Sequence, residues 1–562
     1  MSSDVTIVLG GQAGQGIQTI EFILARVLKR SGYHVFSTKE YMSRIRGGLN
    51  TITLRVADRP VAALTSHIDI LLPLDPGVPE HVGERMTADT VIVGDAGVLL
   101  AERGFLEVPL SSIAKEAGGK IYESTAAVGL LAGILQGDPA IMRDYLREYF
   151  KGKKPEVVDH NCIAADLGYE AGRKLHEGGS LSWSIARDRQ AANRILVSGA
   201  EAVGMGAVAG GCNFVSSYPM SPSTAVLTFL ASHDETFGIV AEQAEDEIAA
   251  VNMAVAAWYA GARAMATTSG GGFALMEEGI SLAGVLETPL VIHLAQRPGP
   301  GTGLPTRTEQ GDLELALYAG HGEFPRVIYA PGTIEEAFSL TARAFNVAAR
   351  CQVPVFVLTD QYTMDTYYDL AGFDLDAVTV EKHLVETKPG YQRYRLTENG
   401  ASPRGVPGYG SGLIAADSDE HDEDGHITES MAVRRAMVDK RLAKAGLIME
   451  DPVPPVLTGP EDFKVLLAGW GSTCQAIREG LERSGRTDTA HLHFPQVYPL
   501  PHQALGYLEQ AEKLIVIENN ATAQFGRILT LHGGREPDGA VLKYDGLPFT
   551  VEELADAIRE ID

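Results

Sequence analysis

The chain has 562 residues, of which 45% are hydrophobic and 21% are charged, and its formal net charge is -26 at pH 7. This length exceeds what one hydrophobic core organises, so we expect about three or four domains. The acidic balance argues against nucleic-acid binding and against attraction to a membrane surface, which both need clustered Lys and Arg. The plainer interpretation of the charge is an ordinary acidic protein surface.

Residues 1–182 alternate strand-like and helical patterns. An apolar, β-rich run at 5–9 leads into a glycine-rich loop at 10–16, after which apolar residues recur at helical spacing from Ile17 to Leu28. Further strands are predicted at 51–56, 68–72 and 90–93. The pattern indicates an α/β domain with a mostly parallel sheet.

A polar linker is predicted at 174–193, and a second α/β domain occupies 190–373. Regular periodicity fades at 374–459, which we interpret as an irregular linker, and a third α/β domain occupies 460–562. Strands of the second domain are predicted at 195–197, 213–217, 264–267, 290–294, 326–329 and 355–358. The third domain has predicted strands at 464–467 and 513–517 and a helix near 551–558.

The four cysteines are scattered and form no CxxC pair, so a zinc site or an iron–sulfur cluster built from local ligands is not expected here. Scattered thiols suit a reducing compartment. No apolar run approaches the roughly 20 residues that cross a bilayer, and the chain starts without a leader-like segment. We therefore expect a cytoplasmic protein.

A carboxylate stands near the start of a predicted buried helix. The run 242–262 is rich in alanine, and its larger apolar residues recur at helical spacing. A carboxylate beside such a face needs a partner or has a raised pKa, which makes Glu247 a candidate for contacting a ligand. The alternative is a solvated acidic first turn that also includes Glu242, Glu245 and Asp246, and such a turn suits the helix dipole.

A proline-rich segment, Tyr218-Pro219-Met220-Ser221-Pro222-Ser223, follows the predicted strand 213–217 directly. Ligands of open α/β sheets bind at the carboxyl ends of strands, and two prolines fix the backbone there. The hydroxyls of Tyr218, Ser221 and Ser223 are therefore candidate ligand contacts. The alternative is a rigid turn in which Ser223 or Thr224 caps the next helix.

Two more segments follow predicted strands. Arg297 comes after the strand 290–294 and precedes a Pro- and Gly-rich loop, so its guanidinium is placed to bind a carboxylate bidentately, or else to form an ordinary ion pair. Thr268-Ser269-Gly270-Gly271-Gly272 follows the strand 264–267, and its missing side chains let backbone amides approach a flat ring or an anion.

These motifs resemble the 2-oxoacid:ferredoxin (acceptor) oxidoreductase family, specifically alpha subunits with a fused N-terminal gamma domain, and the resemblance covers nearly the whole chain. Residues 218–222 are similar to the family's Tyr-Pro-Ile-Thr-Pro, with Met220 and Ser221 as departures. Its Ser-Gly-Pro-Gly loop is here Ser269-Gly-Gly-Gly. The resemblance implies a multi-domain α/β fold: a thiamine-diphosphate-binding domain of the pyrimidine type, the gamma domain, and a transketolase C-terminal-like domain.

The resemblance also implies roles for single residues. Glu247, with Glu245 as the fallback, is expected to share a proton with N1′ of the cofactor's aminopyrimidine, and Ser269 and Gly270 are expected to contact the cofactor. Arg297 matches the arginine that binds the 2-oxoacid carboxylate. The remaining expected substrate contacts are Tyr218, Ser221 and Thr306 in Gly-Leu-Pro-Thr.

The N-terminal glycine pattern Gly11-x-x-Gly14-x-Gly16 resembles the opening of the family's gamma domain, as does Arg46-Gly47-Gly48. Amides at a helix start hold phosphates, and coenzyme A is the family's phosphate-bearing co-substrate, so these glycines are a candidate coenzyme A site. The alternative is tight packing of a strand against a helix with no ligand, because the spacing is not GxGxxG.

Motifs near the end, Gly469-Trp-Gly-Ser-Thr473, Tyr498-Pro-Leu-Pro501 and Glu518-Asn519-Asn520, resemble the transketolase C-terminal-like domain, and we assign them no catalytic residue. The acidic stretch 417–424 with His421 and His426 is interpreted as a solvated loop rather than a metal site, because no fixed ligand spacing is evident.

The sequence lacks the Gly-Asp-Gly segment that anchors Mg2+ and the diphosphate, as well as cluster cysteines. A beta subunit is therefore expected to bring the diphosphate site, Mg2+ and a [4Fe–4S] cluster, in an (αβ)2 heterotetramer that reduces ferredoxin. The expected reaction converts 2-oxoglutarate and coenzyme A to succinyl-CoA and CO2, or the reverse. Alternatives are pyruvate or broad specificity, a non-redox thiamine lyase or transferase, and a nucleotide-sensing binding protein.

Overall fold

The computed structural model describes residues 4–42, 48–96, 98, 105–179, 181 and 183–562. The chain forms two compact units. The first comprises Met1–Val197, Asp365–Gly372 and Thr550–Glu553, and the second comprises Ser198–Met364, Phe373–Phe549 and Leu554–Asp562. Among the described residues, no helix combines the length and the apolar character that crossing a bilayer requires.

The strands of the described residues are, in chain order, β1 (Asp4–Gln12), β2 (His34–Glu40), β3 (Leu49–Ala57), β4 (Ile70–Pro73), β5 (Val91–Gly94), β6 (Phe105–Glu107), β7 (Ile195–Ser198), β8 (Phe214–Ser217), β9 (Val240–Gln243), β10 (Ala264–Thr268), β11 (Leu290–Gln296), β12 (Val327–Tyr329), β13 (Pro354–Asp360), β14 (Tyr367–Leu370), β15 (Val456–Thr458), β16 (Val465–Gly469), β17 (Thr489–His493), β18 (Gln496–Tyr498), β19 (Lys513–Glu518) and β20 (Gly539–Leu542).

The helices are α1 (Ile17–Arg30), α2 (Val78–His81), α3 (Leu110–Glu116), α4 (Glu123–Ile134), α5 (Pro139–Tyr149), α6 (Pro155–Glu177), α7 (Gly199–Ala209), α8 (Thr224–Ser232), α9 (Asp234–Phe237), α10 (Glu247–Tyr259), α11 (Gly270–Leu275), α12 (Glu277–Val285), α13 (Leu313–Tyr318), α14 (Ile334–Cys351), α15 (Gln361–Asp365), α16 (Met431–Ile448), α17 (Thr473–Ser484), α18 (Gln503–Gln510), α19 (Gln524–Gly533) and α20 (Val551–Arg559). Short 3-10 turns lie at Gly83–Arg85, Lys120–Tyr122 and Ala191–Asn193.

The sheet of the first unit has the strand order β6-β5-β4-β1-β3-β2-β14-β7. The expectation of a mostly parallel sheet is wrong for this unit: β1, β4, β5 and β6 pair in parallel, but β3 is antiparallel to both β1 and β2, and β14 is antiparallel to β2. Strand β2 was not predicted. Its side chains are buried on both faces at its start, so they show no simple alternation.

The predicted glycine loop at 10–16 begins later than expected, because β1 continues through Gln12 and Gly11 pairs with Asn50 of β3. The predicted linker at 174–193 also begins later, because α6 continues to Glu177. Helices α4 and α6 pack backbone to backbone. A Cβ on Gly129 would lie 2.0 Å from the Ala165 carbonyl oxygen, so only glycine permits this approach.

The second unit contains two sheets. The larger has the order β18-β12-β13-β11-β10-β8-β9, and its strands from β12 to β9 pair in parallel. Strand β18 joins its edge antiparallel to β12. The smaller sheet has the order β15-β17-β16-β19-β20. Because the strands of the larger sheet are parallel, the segments that follow β8, β10 and β11 meet at one edge.

The stretch 374–459, predicted to be irregular, contains the 18-residue helix α16. Its buried face explains why the pattern was missed, since it carries Lys440 and Lys444 rather than a purely apolar stripe. Both ammonium groups contact the buried carboxylate of Glu287, with Lys440 at 2.7 Å. Burial raises the pKa of Glu287, but the charges of Lys444 and Lys440 outweigh burial and hold its pKa at about 2.

The Glu287→Gln substitution should destabilise the second unit by about 3–5 kcal/mol, because it leaves two buried ammonium groups without a counter-charge. The free energy of unfolding is measured by urea denaturation. Asp556→Asn is the matched control, because the Asp556–Arg559 pair is largely exposed and its loss should change nothing measurable. Equal stability of the Glu287→Gln variant and the wild type would contradict a structural role for this cluster.

Candidate active site

The predicted site segments meet at the carboxyl edge of the larger sheet of the second unit. Tyr218 follows β8, Ser269 follows β10, and Arg297 follows β11, and these strands are neighbours in the sheet. The parallel registers pair Ser216 with Ala266 and Thr268 with Leu294, so the three strands end close together. The edge is the place where open parallel sheets bind ligands.

Glu247 is the first residue of α10, and its side chain is buried, with only 3% of its surface exposed. Its neighbour Asp246 caps the helix by accepting a hydrogen bond from the Ala249 amide at 2.7 Å, whereas Glu245 is exposed. Burial raises the pKa of Glu247, an effect that its own backbone amide opposes and Asp246 reinforces. The solvated acidic turn therefore describes Glu245 but not Glu247.

The Oε1 atom of Glu247 is buried and has no hydrogen-bond partner. Directly opposite is the glycine triplet 270–272, which forms the first turn of α11. A Cβ on Gly272 would lie 2.4 Å from Glu247 Oε1 and 2.2 Å from Thr268 Oγ1. The absence of a side chain at Gly272 is therefore what allows the carboxyl group to be there. A buried carboxyl oxygen without a partner costs stability unless a ligand supplies the hydrogen bond.

Ser269 and Gly270 precede Gly272 at the start of α11. The Ser269 hydroxyl is buried and has no partner, and it does not cap α11. A Cβ on Gly270 would lie 2.4 Å from the Oδ2 atom of Asp312, which is also buried and unpartnered. Two acidic side chains thus approach the same glycine turn, Glu247 at Gly272 and Asp312 at Gly270.

Ser221 and Arg297 meet directly. The Arg297 Nη1 group donates a hydrogen bond to the Ser221 carbonyl oxygen at 2.8 Å, while the Ser221 side chain is exposed. Tyr218 is 41% exposed. Ser223 precedes α8 as its N-cap residue, but its hydroxyl donates to the Met220 carbonyl oxygen at 2.7 Å and makes no cap bond. The side-chain cap that the alternative interpretation expected does not form, and the turn anchors the guanidinium through the Ser221 carbonyl oxygen.

Burial lowers the pKa of Arg297, and the charge of Asp312 opposes that shift. Burial raises the pKa of Asp312 to about 7, with Glu309 adding to the shift and Arg297 opposing it. Asp312 had no predicted role. The signal that could have identified it is a lone aspartate after a glycine in the segment that continues from Arg297 and Thr306.

Thr306 is buried in the loop between β11 and α13, and that loop is held by the C-terminal motifs. The key residue is Gln310, which is fully buried and exchanges backbone and side-chain hydrogen bonds with Asn519 at 2.7 and 2.8 Å. Its side-chain amide donates to the Trp470 carbonyl oxygen at 2.7 Å, and Asn520 donates to its carbonyl oxygen at 3.1 Å. Sequence reasoning missed this contact, because nothing in the sequence pairs position 310 with position 519.

A buried polar chain runs beneath the site across three strands. His293 of β11 bonds Thr267 of β10 through Nδ1 and Thr359 of β13 through Nε2, both at 2.8 Å. Burial lowers the pKa of His293 to about 3, so the imidazole is neutral and needs one donor and one acceptor. The lone histidine in an otherwise apolar strand was the available signal. Its role is structural cross-linking of the strands that carry the site.

The glycines predicted to hold coenzyme A belong to the first unit. Gly11 lies in β1, Gly14 and Gly16 have positive φ values of 94° and 84°, and Gly16 is the N-cap residue of α1. A Cβ on Gly16 would lie 2.3 Å from the Ser124 hydroxyl of α4, so close packing also favours glycine at this position. The coenzyme A site stays a prediction. Arg46 and Gly47 lie outside the described residues.

In the acidic stretch, Asp422, Asp424 and His426 bring one potential ligand atom each within 4.8 Å of one another. Asp424 and His426 are exposed, and His421 is buried against Tyr394 with 3.9 Å between ring centroids. Exposed acidic groups commonly cluster without binding a metal, so the group carries no assignment.

Comparisons with known proteins agree with this architecture. A family model described as pyruvate flavodoxin/ferredoxin oxidoreductase, thiamine diP-bdg, matches residues 205–440, and one described as pyruvate ferredoxin/flavodoxin oxidoreductase matches residues 6–171. The fold and these matches define an oxidoreductase chain with a thiamine diphosphate-binding domain.

Individual relatives identify the class of oxidoreductase more closely. The alpha subunit of 2-oxoacid:ferredoxin oxidoreductase 2 from Aeropyrum pernix is 32% identical, over 99% of this chain and 98% of its own length. An alpha subunit of 2-oxoacid:ferredoxin oxidoreductase from Sulfolobus sp is 30% identical, over 99% and 96%. A solved structure of 2-oxoglutarate:ferredoxin oxidoreductase from Magnetococcus marinus, with 2-oxoglutarate, coenzyme A and succinyl-CoA bound, has a TM-score of 0.93 and 28% identity, covering 100% of both chains.

The chain belongs to the family of 2-oxoacid:ferredoxin oxidoreductase alpha subunits. The family assignment and the multi-domain α/β fold predicted from the motifs are confirmed. The residue roles and the domain boundaries stay predictions. Because these relatives are named alpha subunits, a partner subunit is implied.

The residues present fit the pyrimidine half of thiamine diphosphate. The cofactor's aminopyrimidine needs a carboxyl group at N1′, and the buried Oε1 atom of Glu247 needs a partner. The absence of a Cβ at Gly272 lets that oxygen lie against the turn of α11. An unpartnered carboxyl oxygen at this position suits the hydrogen bond that the edge of a nitrogen ring donates.

The Gly272→Ala substitution should weaken thiamine diphosphate binding by about 10- to 100-fold, corresponding to overpacking of about 1–3 kcal/mol, because the new methyl group overlaps Glu247 Oε1 and Thr268 Oγ1. Binding is measured by cofactor titration of the complex with the partner subunit. Gly271→Ala is the matched control, since its nearest neighbour would be the Gly301 carbonyl oxygen at 3.9 Å. Wild-type affinity in the Gly272 variant would contradict the inferred cradle.

Proposed function

We propose that this chain is the alpha subunit of a coenzyme A-acylating 2-oxoglutarate:ferredoxin oxidoreductase and supplies the pyrimidine half of its thiamine site. The observation that carries the proposal is the unpartnered Oε1 atom of Glu247, buried against Gly272 at the carboxyl edge of a parallel sheet. The similarity to the Magnetococcus marinus enzyme, whose structure holds 2-oxoglutarate and coenzyme A, supports the choice of substrates.

When bound, thiamine diphosphate supplies a nucleophilic thiazolium carbon that adds to the 2-oxo group and accepts the electrons released on decarboxylation. The residues of this chain prepare that chemistry. Glu247, whose pKa is raised by burial, would hold or release a proton at Oε1 toward a ring nitrogen of the bound cofactor. The start of α10 and the turn of α11 fix the position of this oxygen.

Substrate binding falls to the groups around Arg297. Its guanidinium is held by the Ser221 carbonyl oxygen and carries further N–H donors for a carboxylate. The Ser221 hydroxyl, Tyr218 and Thr306 are proposed to contact the rest of the 2-oxoacid. The loop with Thr306 keeps its place because Gln310 is bonded to Asn519.

A beta subunit is proposed to complete the site with the diphosphate-binding residues, Mg2+ and a [4Fe–4S] cluster, in an (αβ)2 complex that passes electrons to ferredoxin. The glycines Gly11, Gly14 and Gly16 are proposed to contact coenzyme A. The four cysteines are free and buried, which supports the proposed cytoplasmic location. Decarboxylation and its reversal, reductive carboxylation, use the same groups.

The Glu247→Gln substitution should lower kcat for 2-oxoglutarate oxidation by about 10²- to 10⁴-fold, because the amide cannot exchange a proton with the cofactor ring. The measurement is ferredoxin reduction by the purified complex with coenzyme A, with subunit assembly checked by gel filtration. Glu245→Gln is the control, since Glu245 is exposed and should leave the rate unchanged. Loss of activity only in the Glu245 variant would move the assignment to that residue.

Among 2-oxoglutarate, pyruvate and branched 2-oxoacids, kcat/KM should be highest for 2-oxoglutarate, and the complex should contain iron. The reconstituted complex is assayed with each acid, ferredoxin and coenzyme A, and its iron is measured by metal analysis. Higher kcat/KM for pyruvate would change the substrate, whereas an iron-free active complex would identify a non-redox thiamine enzyme instead.

A further inference from the structure

Asp312 is an acidic residue of the site to which the family resemblance gave no role. Its Oδ2 atom is buried and has no hydrogen-bond partner. The carboxyl group lies against the backbone of Gly270, where a Cβ would be 2.4 Å from Oδ2 and 2.6 Å from Oδ1. The Oδ2 side of this carboxyl group is therefore packed against the backbone at the start of α11 and is not in contact with solvent.

The backbone on both sides of Asp312 is held in place. Its amide donates to Oε1 of Gln296, the last residue of β11, at 3.0 Å. The preceding carbonyl oxygen, of Gly311, accepts from the side chain of Gln524 at 2.8 Å. Gln310, two residues earlier, is fixed by Asn519. The position of the carboxyl group is therefore set by the sheet and by the C-terminal motifs, and a change of its charge does not depend on loop movement.

Two charged groups act on Asp312 from the elements around it. Glu309, on the same loop, raises the pKa of Asp312, and Arg297, at the end of β11, lowers it. Helix α11, with the sequence GGGFAL, contributes no charged group. Burial is the largest influence and brings the pKa to about 7, so the carboxyl group can change its charge near neutral pH.

The charge of Asp312 in turn raises the pKa of Arg297 and so opposes the lowering by burial. Within the described part of the chain the two side chains form no direct ion pair, and the hydrogen bonds of the guanidinium use only Nη1, toward Ser221. An arginine carries five N–H donors, so the guanidinium has the capacity to bind an incoming carboxylate bidentately while Asp312 remains nearby.

We propose that Asp312 is a positioning residue that couples substrate binding to proton uptake: its carboxylate balances the charge of Arg297 in the free enzyme and takes up a proton from solvent when the 2-oxoacid carboxylate binds. The proposal rests on the proposed function, because it takes the carboxylate of a 2-oxoacid as the anion that Arg297 binds.

The physical reason is the cost of two carboxylates near one guanidinium in a partly buried site. Like charges that share a site shift each other's titration, so one of the two groups protonates. The substrate carboxylate engages Arg297 directly, and Asp312 is the group that changes its charge. Substrate affinity should then fall as the pH rises above the pKa of Asp312, because binding takes up a proton and the proton concentration falls with rising pH.

The Asp312→Asn substitution tests this coupling in the complete complex. In the wild type, KM for 2-oxoglutarate should rise by up to about tenfold per pH unit above about pH 7, because one proton is taken up on binding. The KM of the Asp312→Asn variant should be independent of pH over the same range. An equal pH dependence of KM in both proteins, or a flat profile in the wild type, overturns the proposal.

Glu309→Gln is the matched control on the same loop. It removes a neighbouring negative charge, so the rise of KM should begin at a lower pH and keep its slope. If Asp312 only braced the loop, the Asp312→Asn variant would instead change KM or kcat by the same factor at every pH, and that result also overturns the proposal.

A second measurement does not depend on turnover. In a Glu247→Gln background the complex is titrated with 2-oxoglutarate by calorimetry in two buffers that differ in ionisation enthalpy. Proton uptake is expected in Glu247→Gln and should be absent in Glu247→Gln/Asp312→Asn, whereas equal uptake in both contradicts the proposal. Failure of the wild-type complex to turn over any 2-oxoacid would overturn the proposed function itself, whereas normal turnover with no proton uptake would overturn only the role of Asp312.

Discussion

The arrangement of the site depends on one buried carboxyl oxygen, Oε1 of Glu247. The helix that begins at Glu247 has its cap provided by Asp246, so the Glu247 side chain is not needed to satisfy the helix start. It turns inward, and its Oε1 atom is left without a partner beside Gly272. Local consistency is broken there, as is typical of functional sites, and we propose that the cofactor supplies the missing hydrogen bond.

The motifs that resemble the transketolase C-terminal-like domain have a structural role through their hydrogen bonds with Gln310. Glu518 is buried and accepts hydrogen bonds from the amides of Phe525 and Gly526 at 2.9 and 3.0 Å and from Asn520 at 2.7 Å. These hydrogen bonds fix the end of β19, and the next residue, Asn519, is hydrogen-bonded to Gln310. Motifs without a catalytic side chain therefore hold the loop that carries Asp312 and Thr306, which is a proposed substrate contact.

Much of the second unit could be predicted because its central strands are short apolar runs bounded by glycine and proline, and parallel pairing brings their ends together. The same logic located Tyr218, Ser269 and Arg297. It failed for α16, where buried lysines replace the apolar stripe, and for β2, where burial on both faces removes the alternation. The mixed pairing of the first sheet was missed because strand direction leaves no mark on composition.

The sequence by itself determined the family and the order of the site segments, because strand-end motifs are local in the chain. The tertiary structure decided which of the neighbouring acids is buried, and selected Glu247 over Glu245. It also brought Asp312 to Gly270 and Asn519 to Gln310. Burial, pKa and contacts between distant segments depend on how elements pack in three dimensions, and no local pattern encodes them.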